Sequence, residues 1–159
     1  MHRRFIWLLS LIALLIITLS MVLVLGSSQQ IPFSILGGAE NSSPSDWIKE
    51  DQIKVYPQEV ILDIPAAQWA GFTNTNSMDP FIDETANAIE IKPAAADLIT
   101  VGDVISYNTP YGVFIHRVIQ KGIDEKGVYY IVKGDNNRFE DPFKVRFGQV
   151  QGVVVAVIY

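Results

Sequence analysis

Residues 5–25 form an unbroken run of 21 without a charge, a proline or a glycine, and no other feature restricts the architecture of the chain so strongly. At about 1.5 Å per residue, a helix of that length covers the roughly 30 Å hydrocarbon core of a bilayer. The polar exceptions are Ser10, Thr18 and Ser20, whose hydroxyls bond back to helix carbonyls. A cleaved secretory signal usually has an apolar core of only about 7–15 residues followed closely by a small-x-small site. Here the run is longer and continues Gly26-Ser27-Ser28-Gln29-Gln30. The segment reads as a retained transmembrane anchor.

Charge gives the orientation. His2, Arg3 and Arg4 precede the span, and the next basic residue is Lys49. The positive-inside rule leaves the N-terminus in the cytosol and sends the rest of the chain across the membrane. That outer part holds all 17 acids but only ten of the twelve lysines and arginines, so nucleic acid is not an expected partner. There is no cysteine, which excludes disulfides and thiolate chemistry, and His116 is the one histidine beyond the anchor. No metal site and no cofactor are expected.

The chain divides into a cytosolic tail (1–4), the anchor (5–25), a connector (26–52) and a β-rich domain (53–159). Gly37-Gly38 and residues 41–46 are turn chemistry, with a short apolar stretch at 31–36 between the anchor and these turns. Beyond residue 53, runs rich in Val, Ile and Tyr recur at 60–64, 88–91, 104–107, 113–119, 128–132 and 150–158. Turns at Thr109-Pro110-Tyr111-Gly112 and Asp124-Glu125-Lys126-Gly127 separate some of them. No helical period is convincing outside the anchor.

Three polar constellations lie among these strands. Thr75-Asn76-Ser77-Met78-Asp79-Pro80 is a loop able to expose a serine hydroxyl beside free backbone N–H groups, which a nucleophile and its oxyanion need. His116 sits inside an apolar run whose alternation puts Phe114, His116 and Val118 on one face and Ile115, Arg117 and Ile119 on the other. A histidine's ordinary pKa of about 6.5 suits a proton acceptor near neutral pH. The third constellation, residues 133–142, carries acids at Asp135 and Asp141, either of which could orient the imidazole. Taken singly, each reads as well as a turn or a structural hydrogen bond.

Read in order, Ser-Met-x-Pro, Gly-Asp-Val-Ile, His-Arg-Val-Ile and Lys-Gly-Asp-Asn-Asn with a further acid resemble the motif set of signal peptidase I. More narrowly they resemble its archaeal and endoplasmic-reticulum branch, in which histidine replaces the catalytic lysine. The resemblance implies a mainly β domain of two packed antiparallel sheets preceded by one transmembrane helix. It implies Ser77 as nucleophile, His116 as general base, Asp141 as third member and Asp135 as a supporting acid. It also implies an oxyanion hole from the Thr75 hydroxyl and the Ser77 N–H. The expected activity is removal of signal peptides from secretory preproteins at the surface of the cell membrane or the endoplasmic-reticulum membrane. The alternative is a catalytically degenerate homologue that serves as an anchored binding or structural domain. Two departures stand out. Asn76 replaces a family glycine, and Ser77 lies 52 residues beyond Leu25, farther than the family's usual spacing.

Overall fold

The β-branched and tyrosine-rich runs become strands. The computed structural model describes residues 41–159. The expected anchor at 5–25 and the apolar stretch at 31–36 lie outside the described residues. Nine strands follow in order: β1 (Ile53–Val55), β2 (Val60–Leu62), β3 (Gln68–Gly71), β4 (Asn87–Ile91), β5 (Val104–Thr109), β6 (Gly112–Asp124), β7 (Gly127–Lys133), β8 (Val145–Arg146) and β9 (Val150–Ile158). They make a two-stranded sheet, β1–β2, and a seven-stranded sheet ordered β3-β4-β9-β5-β6-β7-β8, antiparallel throughout. Two short 3-10 turns, Glu50–Gln52 and Phe147–Gln149, are the helical elements among the described residues. None of the described residues forms a helix long and apolar enough to cross a membrane.

Both expected turns close hairpins. Gly112 and Gly127 take φ of 123° and 93° at the ends of these connections, a region that other residues enter only with strain. The long β6–β7 hairpin is tied at its tip by Asp124, which accepts two bonds at 2.8 Å from the Arg146 guanidinium and one at 3.0 Å from Lys144. These bonds hold the Asp124 carboxyl well below the usual range.

Alternation along the central strands divides the apolar core between the two faces of the large sheet. Ile105, Tyr107, Val118, Tyr130, Val132 and Val153 belong to one buried cluster. Val104 and Val154, their sequence neighbours, belong to a second cluster with Met78, Ile82, Ala86 and Ala88. The β1–β2 pair contributes little to either, since β1 is exposed along its whole length.

Part of the expected connector is docked. The Trp47 indole packs against the first cluster and donates to Asp103 Oδ1 at 3.0 Å. The Ser45 N–H donates to the same oxygen at 2.7 Å, and Thr100 N–H to Oδ2 at 2.8 Å. Asp103 is thereby fully buried and well satisfied, which gives the Gly102-Asp103 motif a structural role. Trp69 is different. It is 70% exposed on β3, with its indole N–H on Asn87.

Candidate active site

The serine loop hangs from one apolar side chain. Met78 is buried in the second cluster and fixes the residues before it. Asn76 takes φ of 55°, the left-handed region that asparagine tolerates better than most residues, and the chain turns sharply into Ser77. A second segment clamps this turn from the end of β7. Asn136 N–H donates to the Ser77 carbonyl at 3.0 Å, and Asn136 Nδ2 donates to the Asn76 carbonyl at 2.9 Å. Asp135 N–H points at Met78 Sδ at 3.4 Å. Gly134 makes the approach possible, because a Cβ there would stand 2.5 Å from the Ser77 carbonyl oxygen.

His116 lies on β6 opposite Ile105, so its ring falls on the face that carries Tyr107. Its Nδ1 is 2.9 Å from Asp141 Oδ1 and 3.0 Å from the Tyr107 hydroxyl. The Tyr107 O–H itself donates to Asp141 Oδ2 at 2.5 Å. A carboxylate accepts only, and the phenol has spent its proton on that carboxylate, so Nδ1 must carry the imidazole hydrogen. Nε2 is left with the lone pair. Burial, reinforced by the neighbouring Asp141 carboxylate, pushes the Tyr107 phenol far above its usual range, so it stays protonated. Asp141 is held in turn by its own N–H, which bonds the Val132 carbonyl at 2.9 Å.

Asp135 does not face the imidazole. It takes a two-pronged bond from Arg117, Nε to Oδ1 at 2.8 Å and Nη2 to Oδ2 at 2.6 Å. A further Arg117 nitrogen donates to the Gly102 carbonyl at 2.8 Å. Both side chains are largely out of solvent, and Asp135 itself belongs to the segment that clamps Ser77. The two acids left open by the sequence therefore have separate partners, Asp141 with His116 and Asp135 with Arg117.

Ser77 and His116 line one cavity of about 670 Å³ with Thr75, Met78, Phe114 and Ile115 among its walls. The Ser77 hydroxyl is 3.1 Å from Thr75 Oγ1, and Thr75 is exposed. Among the described residues the Ser77 N–H has no backbone or side-chain acceptor. One wall of the cavity is an open strand edge. Strand β6 pairs with β5 from Gly112 to Arg117, but its ladder with β7 begins only at Arg117. Residues 112–116 thus offer unpaired backbone groups to an extended chain.

Chemically, the site combines a hydroxyl, an imidazole with a fixed tautomer and an unoccupied N–H donor. Acyl transfer needs these groups. No group of His, Asp and Glu suited to hold a metal ion occurs among the described residues. Tyr107 and Arg117 are the members that motif reading overlooked. The signal for Tyr107 was present in the turn at 109–112, which fixes the hairpin register and sets Tyr107 on the His116 face. Neither a family model nor a curated protein matches the chain.

Proposed function

We propose that this chain is a membrane-anchored serine endopeptidase of the signal-peptidase type, cutting secretory preproteins on the trans side of the membrane. The observation that carries the reading is the shared cavity: Ser77 and His116 line it together, and Asp141 holds the far side of the imidazole. In the proposed reaction an extended peptide adds to the free edge at 112–116. Ser77 Oγ attacks the carbonyl carbon while His116 Nε2 takes the hydroxyl proton. The developing oxyanion is met by the Ser77 N–H and the Thr75 hydroxyl, each such donor being worth a few kcal/mol, roughly 3, when well aimed. His116 then passes its proton to the leaving amine, and water hydrolyses the acyl-enzyme by the reverse sequence. The anchor at 5–25 would confine enzyme and substrate to one plane, raising their effective concentration.

A second reading has one observation in its favour. The hydroxyl of Ser77 is engaged with Thr75 rather than with His116, as a homologue that binds exported chains without cutting them would show. Reporter preproteins incubated with the full chain in lipid vesicles separate the two. The peptidase reading expects a product with a single new N-terminus that is lost in Ser77→Ala; a binder retains the preprotein intact and holds it equally well in both forms.

A further inference from the structure

Within the same cavity lies a carboxylate that the chemistry above does not use. Glu90, on β4, is 5% exposed and lines the cavity with Ser77 and His116. Ser106 Oγ donates to its Oε2 at 2.9 Å, while Oε1 is buried with no hydrogen-bond partner among the described residues. The side chain reaches its position by crossing a strand. Sheet order is β4-β9-β5, Glu90 pairs with Val154 and Ser106 with Gly152, so the carboxylate passes over β9 where Gly152 has no side chain. A Cβ on Gly152 would stand 2.9 Å from both Glu90 Cβ and Oε2. Register shifts at Ile89/Glu90 and Ser106/Tyr107 bracket this crossing, and such bulges re-aim side chains.

The arrangement is built and incomplete. A buried carboxylate with one oxygen unpartnered is costly, and it is stabilised by a cation that brings its own hydrogen bonds. No lysine or arginine lines the cavity, so a cationic partner for the free oxygen would come with the ligand. Elsewhere the walls are apolar or neutral, with Ala70, Phe72, Met78, Ile82 and Ile115 among them. Such a surface suits the stem of a long side chain whose charged end reaches Glu90.

We propose that Glu90 and Ser106 form a specificity subsite that accepts a lysine or arginine side chain of the bound peptide. The inference rests on the peptidase reading for the identity of the occupant as a peptide. The subsite discriminates by pairing. A lysine completes the carboxylate, whereas an uncharged side chain of equal length buries it unpaired.

The test uses the full chain in vesicles and a set of reporter peptides. Each carries lysine or its uncharged isostere norleucine at one of the positions before the scissile bond. Both cleavage and binding by fluorescence anisotropy are measured, for the natural sequence and for Glu90→Gln and Ser106→Ala. At one position the natural sequence should favour lysine about tenfold or more in kcat/KM and in Kd. In Glu90→Gln the ratio should fall to about twofold or less, and in Ser106→Ala it should persist. No lysine preference at any position in the natural sequence overturns the subsite, whether or not either variant folds. An equal preference in folded Glu90→Gln overturns it as well. Lysine-selective binding without cleavage would retain the subsite and reject the peptidase reading. Cleavage without selectivity would do the opposite.

Discussion

Asp141 and Tyr107 approach the same nitrogen of His116, with Oδ1 at 2.9 Å and the phenol oxygen at 3.0 Å from Nδ1. The bond from Tyr107 to Asp141 Oδ2 closes the triangle. A three-membered network of this kind fixes both the tautomer and the tilt of the ring, leaving Nε2 as the basic atom.

Asp141→Asn leaves one acceptor oxygen for two donors, the His116 Nδ1–H and the Tyr107 O–H, and removes the charge that would stabilise the imidazolium. The expected loss in kcat is roughly 10²–10⁴-fold with little change in KM. Tyr107→Phe leaves the Asp141–His116 contact in place, so its expected loss in kcat is less than about tenfold. Steady-state kinetics on a reporter preprotein compare the two, and a larger loss in Tyr107→Phe would contradict the assignment.

Asp135 serves stability. Its partner Arg117 is largely buried, so Asp135→Ala strands a charge and should cost about 3–5 kcal/mol. Urea denaturation of the full chain in detergent measures this. Ser77→Ala, by contrast, should leave the unfolding midpoint nearly unchanged. Equal stability of the Asp135→Ala variant and the natural sequence would contradict the role given to the pair.

Gly134→Ala places a Cβ 2.5 Å from a backbone oxygen, that of Ser77, and no rotamer change relieves it. The serine loop must shift, and misplacement of a nucleophile by about 1 Å costs on the order of 10²-fold in rate. The same substitution at Gly148, where a Cβ meets nothing within 4 Å, should be silent.

Burial raises the Glu90 carboxyl above its ordinary value of 4.5, an effect that the Ser106 bond opposes only in part. A carboxyl with a raised folded-state pKa binds its proton more tightly when folded. Its contribution to stability is therefore complete below pH 4.5 and is lost as pH rises through the folded value. Relative to Glu90→Gln, the natural sequence should lose stability as pH climbs from 4.5 toward neutrality in the absence of ligand. Denaturant midpoints of the two forms, compared across that range, should diverge; parallel curves would contradict a buried, under-satisfied carboxyl.

Most of the large sheet was legible in the sequence. Strands at 87–91, 104–109, 112–124, 127–133 and 150–158 all carry the Val, Ile and Tyr density that suits a half-buried pleated surface. Strand β3 was not. Gln68-Trp69-Ala70-Gly71 has no β-branched residue, and it becomes a strand through pairing with β4. Residues 41–47 read as loop because Asn, Ser and Pro are turn formers. Their docking depends on bonds to Asp103 across more than 50 positions, which no local pattern reveals. The choice between Asp135 and Asp141 was open for a related reason. Adjacent residues on a strand point to opposite faces, so Arg117 and His116 draw their acids from opposite sides of β6, and only the path of the 134–141 loop decides which acid goes where.

The central claim is that Ser77 and His116 act as one catalytic unit, and a double-mutant cycle tests it most directly. Rates of preprotein cleavage are measured for Ser77→Ala, His116→Ala and the double variant. Each single substitution should lower kcat by about 10³-fold or more, and the double variant should lose no more than the worse single. An unchanged rate in either single variant, or losses that simply multiply, would contradict the account.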